Sequence, residues 1–281
     1  MLTTSAKGRA FDYNRVVGGR AFRGIVYATK GTGNDFFVVL RDTYGSDVVK
    51  LTVGPDIDDE EIVVSFREVL EENFDGSWPS CAVFNGEHLL VTDELRNIIS
   101  VFTPQGDLVK TIGGPGNGEI QFNRPSGITI DSDNNVYIAD TLNHRIQKLS
   151  PDLAFIQSWG EFGDTHGSLN APWGICTDGD DFVYVADHKN HRIQKFNADG
   201  AFIMSTGEFG SSASNLNHPS DVSVDESGDI YVADWVNNRV QIYDSTGIHI
   251  ANLTGSAVEL SKWQKQYVAA SPDVYKARRR V

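Results

Sequence analysis

The sequence has few cysteines, few methionines and no long apolar run. Two cysteines in 281 residues cannot build a disulfide framework. No apolar stretch approaches the roughly 18 residues that a membrane-spanning helix needs. The first ten residues also lack the apolar region of a secretory signal. These absences argue against a membrane protein, and we expect a cytoplasmic location.

The chain is also short of positive charge. It carries 24 Lys and Arg against 38 Asp and Glu, which gives a net charge of −14. Residues 257–281 hold six Lys or Arg and two Asp or Glu, a local charge of +4 that leaves −18 for residues 1–256. Because phosphate contacts dominate nucleic-acid affinity, this charge argues against a nucleic-acid partner.

What the sequence does contain is an internal repeat. Its three best copies share the pattern Tyr-(Ile/Val)-Ala-Asp-x-x-Asn-(His/Asn)-Arg-(Ile/Val)-Gln. The aspartates of these copies are 47 residues apart, and backward steps of 47 and 51 residues reach two degenerate copies. The recurring aspartates are Asp42, Asp93, Asp140, Asp187 and Asp234. Five copies at such a period indicate a repeat protein.

Each copy reads as four short strands. In the third copy these are residues 126–130, 136–139, 145–150 and 155–159, separated by turns rich in Asp and Asn. Val136 and Ile138 lie on one face of the second strand, and Tyr137 and Ala139 lie on the other. Two apolar faces indicate a sheet that is packed on both sides. Four strands per repeat of about 45 residues are typical of β-propeller blades.

These repeats resemble the NHL family. The resemblance is carried by Pro-Ser-Gly-Ile-Thr-Ile-Asp at 125–131, Val-Tyr-Ile-Ala-Asp at 136–140 and Asn-His-Arg-Ile-Gln at 143–147, and it covers about residues 20–255. It implies a six-bladed β-propeller. The predicted fold is therefore all-β, a six-bladed-type propeller of four-stranded NHL blades, with about five blades present.

The predicted propeller domain covers residues 1–256. Its blades are expected at about 19–55, 60–114, 120–160, 168–207 and 215–255, with residues 11–18 as the outer strand of a last blade. Leu260, Trp263, Tyr267 and Val268 follow helical spacing, so a short C-terminal helix is predicted within residues 257–281, before a missing last blade. A five-bladed ring plugged by this helix is the alternative.

The features that recur in every blade are interpreted as structural. The repeated Asp is expected to cap a turn, and the Arg five residues later to pack its stem between sheets. The aspartate-rich turn at 131–135 lacks the Gly and Glu that an EF-hand calcium loop needs. His144 and His191 receive the same structural interpretation.

The NHL propellers include peptidyl-α-hydroxyglycine α-amidating lyase, in which three histidines hold a zinc ion. The resemblance implies that these ligands follow the proline that opens a blade. The corresponding positions here are Arg23, Ser80, Ser126, Trp173 and Ser220. Serine does not replace imidazole as a zinc ligand. No metal site, no other cofactor and no catalytic residue is therefore predicted.

A second set of positions follows the repeated aspartate. It comprises Thr43, Glu94, Thr141, His188 and Trp235. Because these residues differ between blades, one interpretation is that part of both sets forms a ligand site at one mouth of the central channel, and ordinary surface variation is the alternative. The predicted site residues are Arg23, Glu94, Trp173, His188 and Trp235. Glu94 and His188 lie two blades apart, which argues against an acid/base pair.

The sequence thus predicts a non-catalytic propeller that binds a protein or a small-molecule ligand through one loop face and the channel mouth. One alternative is a metal-dependent lyase or hydrolase related to peptidyl-α-hydroxyglycine α-amidating lyase. A second alternative is an RNA-binding NHL domain.

Overall fold

A computed structural model describes residues 2–6, 9–13, 24–42, 45–54, 58–66 and 76–254. The described strands form five four-stranded antiparallel sheets and one separate hairpin. The hairpin pairs β1 (Leu2–Ala6) with β2 (Arg9–Tyr13). Among the described residues, no helix has both the length and the apolar character that crossing a membrane requires.

Each four-stranded sheet is one blade, and its strands pair in chain order. Blade I comprises β3 (Ile25–Lys30), β4 (Asp35–Asp42), β5 (Gly45–Thr52) and β6 (Asp59–Ser65). Blade II comprises β7 (Pro79–Phe84), β8 (Leu89–Asp93), β9 (Ile98–Phe102) and β10 (Leu108–Gly113). Blade III comprises β11 (Pro125–Ile130), β12 (Val136–Asp140), β13 (Arg145–Leu149) and β14 (Phe155–Trp159).

The last two described blades repeat this plan. Blade IV comprises β15 (Pro172–Thr177), β16 (Val183–Asp187), β17 (Arg192–Phe196) and β18 (Phe202–Thr206). Blade V comprises β19 (Pro219–Val224), β20 (Ile230–Asp234), β21 (Arg239–Tyr243) and β22 (His249–Thr254). A short 3-10 helix follows the second strand in blade III (Thr141–Asn143) and in blade IV (His188–Asn190).

The apolar core lies between consecutive blades. The first strands pack in order, β3 on β7, β7 on β11, β11 on β15 and β15 on β19. Val136 and Ile138 join the core shared with blade II, whereas Tyr137 and Ala139 join the core shared with blade IV. The alternating apolar faces of the strand therefore serve two neighbours, as the sequence predicts.

The observed architecture is a five-bladed β-propeller within the described residues. The four-stranded blades confirm the all-β prediction, but the structure does not support the six-bladed-type prediction. The predicted helix within residues 257–281 lies outside the described residues, so the alternative of a plugged ring also stays a prediction.

Two strand assignments from the sequence are wrong. Residues 11–13 belong to β2 and pair with β1, not with the last blade, and residues 14–18 lie outside the described part. Blade I does not end at residue 55, because Asp59–Ser65 pairs with Gly45–Thr52 as its fourth strand. Blade II accordingly begins at Pro79 and not near residue 60.

The pairing register also corrects the alignment of blade I. Pro79 pairs with Asp93 in blade II, and Ile25 pairs with Leu40 in blade I. Leu40, not Asp42, is thus the counterpart of the repeated aspartate. The cause is a hairpin in which Asp42 pairs with Gly45, so the second strand continues two residues past the usual turn.

Candidate functional site

A buried ionic network closes the second turn of blades III, IV and V. In blade IV, Asp187 Oδ2 accepts hydrogen bonds from Asn190 at 2.9 Å, Arg192 at 2.8 Å and Gln194 at 3.0 Å. Its Oδ1 accepts the backbone N–H of Asn170 at 2.7 Å. Asp140 and Asp234 have the equivalent partners. The repeated pattern Asp-x-x-Asn-x-Arg-x-Gln therefore encodes one stabilising network per blade.

Side-chain acceptors in the same turns also link neighbouring blades. His144 Nδ1 accepts the backbone N–H of Ala171 at 3.0 Å, and His191 Nδ1 accepts that of His218 at 3.1 Å. Burial lowers the pKa values of both histidines, which keeps these nitrogens unprotonated. The structural interpretation of His144 and His191 is consistent with these contacts.

A cavity of about 350 Å³ lies where the first strands of all five blades converge. Its volume falls within the range of small-molecule sites. Its wall is formed by the following residues: Ile25, Val26, Tyr27, Arg41, Ser80, Cys81, Glu94, Ser126, Gly127, Trp173, Gly174, Ser220, Asp221 and Trp235. The cavity is the central channel of the propeller, and three predicted site residues line it.

Glu94 is held at the channel wall by two cations. Its carboxylate lies 3.8 Å from Arg41 Nη1 and 3.0 Å from Arg124 Nη2, and its side chain is only 8% exposed. Both guanidinium groups also lie over the ring of Trp78, at 4.9 Å for Arg41 and 5.8 Å for Arg124. Arg41 Nη1 is buried and has no hydrogen-bond acceptor among the described protein groups.

Two indole rings form another part of the wall. Trp173 and Trp235 meet edge to face with their ring centres 5.6 Å apart. His188 packs behind them, 4.3 Å from the Trp173 ring, and its Nδ1 lies 3.1 Å from the carbonyl of Pro219. Burial lowers the pKa of His188 to about 4, so this histidine is neutral at pH 7.

The contact that His188 makes with a proline carbonyl is made by a hydroxyl group in blade III. Thr141 Oγ1 donates to the carbonyl of Pro172 at 2.8 Å, which is the blade III equivalent of the contact from His188 to Pro219. The described partners of Glu94 are arginines, and those of His188 are aromatic rings and a carbonyl. The structure therefore does not bring Glu94 and His188 together.

The serines that follow the opening prolines bind backbone across the blade interface. Ser80 Oγ lies 3.2 Å from the carbonyl of Ser126, and Ser126 Oγ donates to the carbonyl of Trp173 at 2.9 Å. These hydroxyls thus join neighbouring first strands. Among the described residues, no group of three or more His, Cys, Asp and Glu is arranged to hold a metal ion. The set implied by the lyase resemblance does not fit zinc.

Asp221 is a channel residue that the sequence interpretation missed. It stands one position further along its first strand than Ser220, where blades III and IV have Gly127 and Gly174. Burial raises the pKa of Asp221 to about 7. The Asp221 side chain lies deep in the molecule. It is nevertheless only half-buried, because it faces the open channel.

Arg41 and Tyr27 were missed for a different reason. Arg23 and Thr43, which the repeat alignment placed at the channel, lie outside the described residues. The backbone N–H of Arg41 donates to the carbonyl of Gly24, and the backbone N–H of Glu94 donates to the carbonyl of Trp78 in the same way. Arg41 is therefore the blade I counterpart of Glu94, a position that the repeat alignment gave to Thr43. The signal for Asp221 was available, since Pro-Ser-Asp-Val at 219–222 differs from Pro-Ser-Gly-Ile at 125–128.

Comparison with known families agrees with the repeat geometry. The family model described as the NHL repeat matches residues 122–149, 169–196 and 216–243, which span the opening to the third strand of blades III, IV and V. The chain is an NHL-repeat β-propeller. No curated protein matches this NHL propeller significantly.

Solved structures share the propeller fold at low sequence identity. A streptogramin B lyase is 14% identical with a TM-score of 0.59, over 82% of this chain and 68% of that one. An inactive virginiamycin B lyase from Staphylococcus aureus with quinupristin is 18% identical with a TM-score of 0.57, over 88% and 74%. A nidogen/laminin complex is 14% identical with a TM-score of 0.62, over 82% and 80%. These likenesses show the fold alone.

Proposed function

We propose that this NHL propeller binds a small organic ligand in its central channel. The observation that carries the proposal is the channel wall, to which all five blades contribute and in which each blade presents different chemistry. Residues needed for the fold recur at equivalent positions, as the Asp-Arg network does in blades III, IV and V. Residues that differ at equivalent positions and converge on one cavity are the pattern expected of a binding site.

The wall offers complementary contacts for a ligand with an aromatic or apolar body. Trp173 and Trp235 provide indole surface, and Trp235 remains 57% exposed. Arg41 adds a guanidinium group to the wall of the same cavity, where it pairs with Glu94. The propeller that was solved with quinupristin shares this fold, which is compatible with a ligand-binding role.

The test is the binding of 2-phenylethanol, a neutral probe with a single ring, and ligand-observed NMR measures this binding. We expect binding to the natural chain and at least a fivefold loss in Trp173→Ala, because the indole wall is removed. Trp159→Phe is the matched control, since Trp159 packs between Tyr137 and Phe196 and its indole nitrogen has no partner among the described groups. Equal binding by Trp173→Ala, or none by the natural chain, would contradict the proposal.

A protein partner on the loop face is the second candidate function. It is favoured by apolar side chains that are exposed at the turns beside the channel mouth. These include Leu95, Leu142, Phe162, Phe209 and Val236. Phe162 and Phe209 are 70% and 68% exposed, and each contacts a histidine of the second turn.

The double variant Phe162→Ser/Phe209→Ser distinguishes the two candidate functions. A loop-face partner recovered by affinity capture would be lost from this variant and retained by Trp173→Ala. Binding of 2-phenylethanol would be weakened in Trp173→Ala and retained by the double variant. Loss of a captured partner only in Trp173→Ala would count against the loop face.

A further inference from the structure

We infer that the channel recognises a ligand with an organic ammonium group and places its positive charge beside Asp221. This inference rests on the proposed channel site and names the chemical class that the site prefers. It follows from the position of Asp221, from the charge balance of the wall and from the neutral groups that surround this carboxylate.

Asp221 lies at the innermost layer of the propeller. Its Oδ1 is so close to blade IV that a Cβ added to Gly174 would lie 2.3 Å from it. The equivalent first-strand positions in the other four blades hold Tyr27, Cys81, Gly127 and Gly174. Asp221 is therefore the single carboxylate in this ring of equivalent positions.

Among the described residues, no cationic side chain pairs with Asp221. Of the described residues that line the cavity, Arg41, Glu94 and Asp221 are the ones that carry an Asp, Glu, Lys or Arg side chain. Arg41 pairs with Glu94, and Glu94 has a second partner in Arg124. Among the described interactions that set the ionisation of Asp221, only the backbone N–H of Val222 offsets the cost of burial. A deep carboxylate without a countercharge is stabilised by a bound cation.

The titratable groups that interact with Asp221 in the described part of the chain do not provide this countercharge. Tyr27 comes from β3, Cys81 from β7 and Cys176 from β15, and each interacts electrostatically with Asp221. Burial raises the pKa of Cys81 to about 12 and holds that of Cys176 well above its usual range. Cys81 and burial together raise the pKa of Tyr27. All three groups are neutral at pH 7.

Aromatic rings complete the preference for an ammonium group. Tyr27, Trp173 and Trp235 line the same cavity as Asp221. Aromatic faces attract organic cations, and the attraction strengthens when the cation is desolvated. An ammonium group with an apolar body would therefore contact a carboxylate and ring faces in one cavity.

Binding of such a ligand has a predictable pH dependence. The carboxyl of Asp221 titrates near neutral pH, because burial raises its pKa to about 7. A cation favours the ionised carboxylate, so binding at lower pH displaces a proton from Asp221. We expect affinity for an ammonium ligand to be roughly tenfold weaker at pH 6 than at pH 8, which follows from the ionised fraction of the carboxyl.

The experiment compares three single-ring probes by titration calorimetry at pH 6 and pH 8. Phenethylamine is a cation, 2-phenylethanol is neutral and 3-phenylpropionate is an anion. At pH 8 we expect phenethylamine to bind at least tenfold more tightly than 2-phenylethanol, and 3-phenylpropionate to bind most weakly. At pH 6 the preference for phenethylamine should shrink about tenfold, with proton release seen in buffers of different ionisation enthalpy.

Asp221→Asn is the decisive variant, and the exposed Asp133→Asn is its matched control. Asp221→Asn should lose the preference for phenethylamine and its pH dependence, while 2-phenylethanol still binds and reports a folded channel. Equal binding of the three probes to the natural chain would overturn the ammonium inference and leave the channel site standing. Failure of all three to bind would overturn both. An unchanged preference in Asp221→Asn would overturn the role of Asp221.

Discussion

The rim of the second turns and the wall of the channel use ionisable residues in opposite ways. At the rim, Asp187 is fully buried and receives four hydrogen bonds, and Asp140 and Asp234 repeat the arrangement. In the channel, Asp221 has no equivalent carboxylate in any other described blade. Repetition with complete pairing marks residues that hold the fold, whereas a single unmatched charge marks a position available to a ligand.

The largest effect is expected from Asp187→Ala, which tests the rim. The substitution leaves Arg192, whose side chain is 12% exposed, without its counterion. Breaking a buried ion pair from one side costs about 3–5 kcal/mol of the free energy of unfolding. Urea unfolding measures this loss. The exposed Asp199→Ala is the control, and a loss below about 1 kcal/mol in Asp187→Ala would contradict a stabilising network.

A smaller effect is expected from Gly174→Ala, which tests the close packing around the channel. The new Cβ would lie 2.3 Å from Asp221 Oδ1 and 2.8 Å from the carbonyl of Ser220, so the first strands must separate. Overpacking of this kind costs about 1–3 kcal/mol. Gly179→Ala is the control, because no atom lies within 4 Å of its added Cβ. Thermal unfolding of both variants measures this loss of stability. Equal stability of Gly174→Ala and Gly179→Ala would show that the strands tolerate the methyl group.

The smallest effect concerns the stability contribution of Asp221 without ligand. Its pKa is about 7 in the folded chain and 3.8 as an unperturbed group, so the stability it contributes is present below pH 3.8 and lost as pH rises through 7. Asp221→Asn avoids this loss. We expect the variant to gain about 1–2 kcal/mol relative to the natural chain between pH 4 and pH 8, since channel solvent reduces the full linkage value.

Chemical denaturation at the two pH values measures this gain, with Asp133→Asn as the control. A constant difference in the free energy of unfolding between the Asp221→Asn variant and the natural chain would show that Asp221 ionises normally. In that case the channel would not perturb the ionisation of its carboxyl group, and the contrast between the rim and the channel would be lost.

Much of the site could be predicted because the repeat supplies its own alignment. The repeat places Trp173 after an opening proline, and it places Glu94 and Trp235 after the repeated aspartate; all three line the channel. His188, which the sequence predicts at the same mouth, is not among the described residues that line the cavity, and it contacts the Trp173 ring and the Pro219 carbonyl instead. The contact with Pro219 depends on a neighbouring blade, and spacing within one repeat does not report it.

Blade I shows where alignment fails. Its hairpin, in which Asp42 pairs with Gly45, shifts the register so that Arg41 takes the position assigned to Thr43. The irregular 51-residue step back to this copy does not reveal which residue takes that position. Its fourth strand also follows a longer connection than the other copies predict. Backbone pairing fixes both features, and it is a property of the assembled sheet.

The amino-acid sequence alone determined that this chain is an array of four-stranded antiparallel units, because a 47-residue period with two apolar faces per strand requires sheets stacked on both sides. The tertiary structure decided which side chains share the channel and which of their charges remain unmatched. Convergence of first strands from separate blades is a long-range arrangement. Burial, and with it the ionisation of Asp221, exists only after that arrangement has formed.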